Sequence, residues 1–156
     1  MKRASTIFLQ AAIVLIGAAV LAGLLWEPHL EGVNANATTL LEIYFDDPFL
    51  AYVYLGSVPF FVGLYQTIKI LSYVRQNKAF SQASVNALRT IQYCALITAG
   101  LIVAGVAYIF IAHRGQDDIA GGVAMGVVTT FACIVIATAA AVFTRLTNKD
   151  ATTKLS

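Results

Sequence analysis

Glu27, His29 and Glu31 alternate along the chain, and His113 stands four residues before Asp117. Carboxylates and imidazoles so placed are the donors that hard or borderline metals accept. Two histidines without a further ligand motif do not define a metal centre, and a solvated acidic rim accounts for the same residues. Nucleophilic Ser-His-Asp or Cys-His chemistry has no support: both histidines flank apolar stretches, while Cys94 and Cys133 lie inside them. The two thiols belong to no C-x-x-C pair and sit at different depths, so they read as small buried hydrophobes rather than a disulfide. Gly121-Gly122 has no lysine after it and cradles no phosphate. No catalytic set, cofactor or metal is implied, and the chain does not read as an enzyme.

The remaining polar groups of interest interrupt long apolar runs: Gln10, Gln66, Lys69 and Gln92. Lys69 follows Gln66 by three residues and Tyr65 by four, so on a helix the three share a face. Lys69 either extends to water along its aliphatic stem or contacts an anion or lipid head group. The three glutamines lie at similar depth, each about 6 to 12 Å of helix from the same membrane face. A lone amide facing lipid is costly, so at least two of them are expected to point into the interior and bond across helices. No Asp, Glu or His occupies the centre of any apolar run, so the relay of a proton-coupled carrier is missing.

These residues must be positioned by membrane helices. The 156-residue chain is 59% hydrophobic and 12% charged, with a mean hydropathy of +0.78; about a quarter of a soluble domain is charged, so the bilayer has to be the solvent. Four stretches, about 6–26, 48–73, 88–113 and 118–146, reach the roughly 20 residues needed to cross about 30 Å of hydrocarbon. Nine of the ten Lys and Arg residues fall on one side of this series, and seven of the eight Asp and Glu on the other. Only Arg114 and Asp150 break the split. Short loops rich in Lys and Arg stay cytoplasmic. The expectation is an all-α integral membrane four-helix bundle, up-down-up-down, forming a single domain with both termini cytoplasmic, an outer loop at 27–47 and an inner loop at 74–87. A basic face beside a membrane follows from insertion and from anionic lipid, so direct nucleic-acid binding is not implied.

Local signals agree. Lys2-Arg3 before an apolar run, with Ala35-Asn36-Ala37 further on, imitates a signal peptide, but the run is too long and the A-x-A too distant, so a retained first helix is expected. Asp47 and Pro48 suit a helix cap and first helical position, and Pro59 should kink the second span beside Gly56 and Ser57. His113-Arg114-Gly115 forms a helix stop. The piece 39–45 should lie along the outer membrane surface, and Asn36-Ala37-Thr38 fits a glycosylation sequon by pattern alone. Small residues at four-residue spacing, Ala19/Gly23, Gly100/Ala104 and Gly122/Gly126, are expected to pack within one bundle, with homo-oligomerisation as a second use.

The inner loop is the most distinctive segment. Ser81 can cap a helix running towards Arg89, with Phe80 stapling onto Val85, and Arg75, Lys78, Phe80, Ser81 and Arg89 form a candidate partner-binding loop. The run Asn77-Lys78-Ala79-Phe80-Ser81, with Ser84-Val85, Ala87-Leu88-Arg89 and Ile91-Gln92-Tyr93-Cys94, resembles the bacterial membrane proteins of domain-of-unknown-function family 2975. Met1-Lys2-Arg3, Pro59-Phe60-Phe61 and the four-span layout are similar too, so the likeness covers most of the chain. It implies a small multi-pass protein of the bacterial plasma (inner) membrane, without assigned activity, often encoded next to a small helix-turn-helix regulator. Two readings stay open: a non-enzymatic interaction or regulatory partner acting through its cytoplasmic loop, and an oligomeric small transporter or channel subunit.

Overall fold

The computed structural model describes residues 3–31, 38–45, 48–112, 115 and 119–155. Helix α1 covers Arg3–Glu31, α2 Leu40–Phe45, α3 Pro48–Arg75, α4 Gln82–Ala112 and α5 Ile119–Leu155, with no strand among the described residues. The four long helices are long and apolar enough to cross a membrane. They run past the apolar stretches: α4 starts at Gln82, shrinking the loop before it to a tight turn, and the 37-residue α5 continues to Leu155. At 1.5 Å per residue α5 is about 55 Å long, well beyond the hydrocarbon thickness.

Exposure is inverted relative to a protein that folds in water. Phe8 is 75% exposed, Ile111 72% and Phe131 69%, while the buried apolar set is mostly small: Val85, Ala87, Cys94, Ala99, Ala137 and Ala140 with Ile91 and Leu50. Large side chains pointing outward cost nothing when the surroundings are lipid tails, and adhesion then depends on fit and hydrogen bonds rather than on exclusion of water.

The helices pack antiparallel in chain order, α1 on α3, α3 on α4 and α4 on α5. Gln10 meets Ser72 and Leu24 meets Tyr54 between α1 and α3. An added Cβ at Gly63 would lie 3.7 Å from Cys94, and one at Gly105 3.3 Å from Tyr52, which sets the α3–α4 register. Gly126 of α5 lies directly against Val106 of α4, where a Cβ would collide. The small-residue expectation holds here and is corrected elsewhere. An added Cβ at Gly23, Gly100 or Gly122 would meet nothing within 4 Å, whereas Gly17, outside all three pairs, faces Leu64 at 3.2 Å. Spacing marks where a close approach is possible; which face turns inward decides where it happens.

Packing is also uneven along the membrane normal. Thr6, Ser84 and Val85 are almost fully buried, and Thr144 and Thr147 nearly so, all towards the basic end. Towards the acid-rich end only Leu50 of α3 is buried among the described residues. Helix α3 starts at Pro48, the residue whose missing donor suits the first turn, and is continuous through Pro59. Two residues before Pro59, Ser57 donates its hydroxyl to the Tyr54 carbonyl at 2.7 Å.

Because Gly126 lies against Val106, Gly126→Leu should overpack the α4–α5 contact and cost about 1 to 3 kcal/mol in a reversible unfolding assay in detergent. Gly121→Leu, placed in open space, should change stability by less than about 0.5 kcal/mol. Equal losses would show that the close approach at Gly126 does not hold the helices.

Candidate functional site

The basic end is organised around the turn between α3 and α4. Helix α3 closes with a Schellman arrangement: Lys78 N–H donates to the Tyr73 carbonyl at 2.8 Å and Asn77 N–H to the Val74 carbonyl at 3.1 Å. Asn77 sits between them at φ 57°, the left-handed conformation that asparagine tolerates better than other non-glycine residues. Helix α4 opens on Ser81, whose Oγ accepts Ser84 N–H at 3.4 Å while the Ser84 hydroxyl donates to the Lys78 carbonyl at 3.0 Å. The expected Ser81 cap is therefore present, and the fully buried Ser84, which the sequence reading passed over, ties the turn to the helix. Both helix ends are satisfied within a few residues, so the turn is a fixed shape.

That shape displays its charged and aromatic groups. Arg75, Lys78 and Arg89 are exposed, Phe80 is 57% exposed, and Val85 behind it is buried. Along the outer face of α4, Gln82 donates to Asn86 Oδ1 at 3.3 Å, and Arg89 and Tyr93 continue the same stripe. No carboxylate pairs with these cations among the described residues, where Asp150 is the only acid at this end.

The three glutamines do not form one layer. Gln10 Nε2 donates to Ser72 Oγ at 2.9 Å and to the Ile68 carbonyl at 3.2 Å, joining α1 to α3. Gln92 lines a shallow cavity of about 270 Å³ between α4 and α5 together with Thr138 and Arg145. Neither Gln66 nor Gln92 bonds across helices among the described residues. Gln10 stands between α1 and α3 and Gln92 between α4 and α5, because each helix turns a different face to its neighbour. Lys69 lies over the Tyr65 ring, 5.0 Å from its centroid, a cation–π contact between residues one turn apart that needs no third helix.

Two tyrosines of α3 make further cross-helix bonds. Tyr52 OH donates to the Leu101 carbonyl of α4 at 2.6 Å, and Tyr54 OH to the Leu24 carbonyl of α1 at 2.7 Å. The Leu101 carbonyl uses its second lone pair, since Gly105 N–H is its partner within the helix, whereas the residue four after Leu24 is Pro28, which has no N–H, so the Tyr54 hydroxyl supplies a donor that α1 itself lacks. Helices α1 and α5 share no extensive contact along their described lengths, and towards the acid-rich end a cleft of about 440 Å³ opens between them over α3 and α4.

The metal candidates fall elsewhere. The side chains of Glu27, His29 and Glu31, and residues His113, Asp117 and Asp118, lie outside the described residues, as do Asp47 and the sequon asparagine. Among the described residues no cluster of metal ligands occurs. Glu42 is engaged locally: its carboxylate accepts Thr38 N–H at 3.0 Å and Thr39 N–H at 3.3 Å, and Thr39 Oγ1 accepts Glu42 N–H, a capping box that opens α2. Those two backbone donors hold the Glu42 pKa below its ordinary 4.5. Cys94 and Cys133 are free thiols, as expected.

Residues 22–154 match the family described as "Protein of unknown function (DUF2975)". The chain is 40% identical over 147 residues to a protein of Bacillus subtilis (strain 168) described as "Uncharacterized membrane protein YoaS", covering 94% of this chain and 91% of that protein. No solved structure matches it.

Gln10 and Ser72 form a side-chain pair joining α1 to α3. A Gln10→Leu, Ser72→Ala double-mutant cycle should return a coupling of about 0.6 kcal/mol, and at most ~1.7. The same cycle on Gln66 and Gln92 should be additive. Additivity at Gln10 and Ser72 would remove that bond from the account of how α1 is held.

Proposed function

The chain belongs to this family of membrane proteins of unknown function, and from that premise we propose that it is a non-enzymatic interaction protein of the bacterial plasma (inner) membrane, engaging a soluble partner through residues 75–89. The observation that carries the reading is the exposed Phe80 on a turn capped from both sides, with Arg75, Lys78 and Arg89 exposed around it and unpaired among the described residues. An aromatic anchor with arginines around it is the composition of interface hot spots, and a preformed turn lowers the ordering cost of binding. The resemblance to family 2975 supports a small helix-turn-helix regulator as that partner.

Affinity purification from native membranes, followed by mass spectrometry, tests the reading. A recurrent soluble regulator should co-purify, and Phe80→Ala with Lys78→Glu should release it while the protein stays in the membrane. Ser81→Ala should weaken capture by loosening the cap, which is worth about 1 kcal/mol. Recovery of self-associated protein alone would favour the second reading, an oligomeric transporter or channel subunit, for which the cleft between α1 and α5 is the supporting observation.

The proposed orientation places both termini and the 75–89 turn in the cytoplasm, because Lys and Arg in short loops are costly to translocate. With Cys94 and Cys133 replaced by Ala, a thiol at Asn36 should react with an impermeant reagent from outside, and one at Asn77 only after permeabilisation. The reverse pattern would invert the topology and leave residues 75–89 without access to a cytoplasmic partner.

A further inference from the structure

The cleft at the acid-rich end is separate from the turn and independent of the partner reading. It is formed by residues of all four long helices, including Val20 and Leu24 of α1, Phe60 of α3, Ile102 of α4 and Gly122 and Gly126 of α5. Its walls are almost entirely carbon. The hydroxyls that reach them are occupied: Tyr52 bonds Leu101, Ser57 bonds Tyr54, and Thr129 bonds Met125. Among the described residues only Thr98 Oγ1 is buried there without a partner. The interior offers little to a polar body and fits a hydrocarbon one.

A second hollow of about 260 Å³ adjoins it, sharing Phe49, Tyr52 and Gly105 with the cleft and adding Pro48, Ala104 and Tyr108. It lies at the start of α3 and the last turns of α4, the helix ends nearest the acid-rich connections. Three aromatic rings, those of Phe49, Tyr52 and Tyr108, thus line the hollow beside the cleft, with Phe49 40% exposed and Tyr108 56% exposed. Ring faces attract cations, and quaternary ammonium groups are commonly bound in this way. The field has the matching sign: in sequence, the connections and helix ends on this side carry Glu27, Glu31, Glu42, Asp46, Asp47, Asp117 and Asp118 against Arg114 alone. Asp47 immediately precedes Pro48 in the chain.

We infer that the cleft and its aromatic mouth form a binding site for a cationic amphiphile, with a single apolar tail between α1 and α5 and a quaternary ammonium or similar cation at Phe49, Tyr52 and Tyr108. The combination selects against its alternatives. An anionic amphiphile meets the acid-rich end, and a hydrophilic cation gains nothing from the carbon-lined cleft. Gly122 is the residue through which the site can be closed, because it lines the cleft and an added Cβ there meets nothing within 4 Å. Its neighbour Gly121 has equal room but does not line the cleft.

The test uses the full-length protein in nanodiscs of an uncharged glycolipid, which brings no ammonium group of its own, and three probes that share one tail: dodecyltrimethylammonium, dodecanol and dodecyl sulfate, each below its micellar concentration. Binding is measured by equilibrium dialysis against empty discs. The ammonium probe should bind saturably above the empty-disc background, and the sulfate should not. Dodecanol should bind at least about tenfold more weakly than the ammonium probe, a factor worth about 1.4 kcal/mol. Gly122→Phe should abolish saturable binding, and Gly121→Phe should leave it unchanged. Asp46→Asn with Asp47→Asn should weaken binding of the ammonium probe and flatten its salt dependence. The inference is overturned if the ammonium probe shows no saturable increment, if the sulfate binds as well, or if the two glycine variants behave alike. The comparison of head groups needs only the unmodified protein, so the inference stays open to refutation even if Gly122→Phe fails to fold.

Discussion

The absence of water from the hydrocarbon layer is the constraint on which the rest of this structure depends. A backbone N–H or C=O left unpaired in lipid costs several kcal/mol, so each spanning segment must close its own hydrogen bonds as a helix. Having done so, it has little left with which to hold a neighbour, because lipid tails are as apolar as its side chains. The chain uses three devices. Glycines allow close approach, as at Gly17, Gly105 and Gly126. Tyr52, Tyr54 and Gln10 donate to carbonyls that still have a free lone pair. Thr67, Thr129, Thr138 and Thr144 turn their hydroxyls back onto their own helices, at the carbonyl four residues earlier, so that they cost nothing in lipid.

Helix α3 is the member through which these devices act together. It contacts α1 through Gln10 and Tyr54 and α4 through Tyr52 and Gly63, while α5 joins through α4. Packing is tightest at the basic end, where Thr6, Ser84 and Val85 are sealed and the α3–α4 turn is capped from both directions. At the opposite end the cleft opens between α1 and α5. A closely packed end that displays cations and an aromatic ring, and an end with an open cleft, follow from one uneven distribution of buried residues.

Features that depend on neighbours in the chain were legible from the sequence. The Ser81 cap, Pro48 at the first turn of α3 and the Tyr65–Lys69 contact each involve residues no more than four apart, and their geometry is set as soon as the helix forms. The α3 stop at Asn77 was equally local and readable in principle, since an asparagine just past the last apolar turn suits the left-handed position. The glutamines were different. Their depth followed from counting residues, but Gln10 bonds Ser72 across 62 positions while Gln66 and Gln92 bond nothing across helices among the described residues.

The sequence by itself determined that the chain crosses a membrane as four helices and where its charges concentrate, because transfer into lipid is a sum over residues that needs no partner. Family membership was legible in the same way, in the run from Asn77 to Cys94. Only the tertiary structure decided which face of each helix turns inward. A helix apolar on all sides has no hydrophobic stripe to orient it, so rotation is chosen by a few glycine contacts and hydroxyl bonds whose partners lie on other helices. That choice put Gly126 against α4 and left Gly122 on the cleft, gave Gln10 a partner, and brought Phe49, Tyr52 and Tyr108 to one hollow.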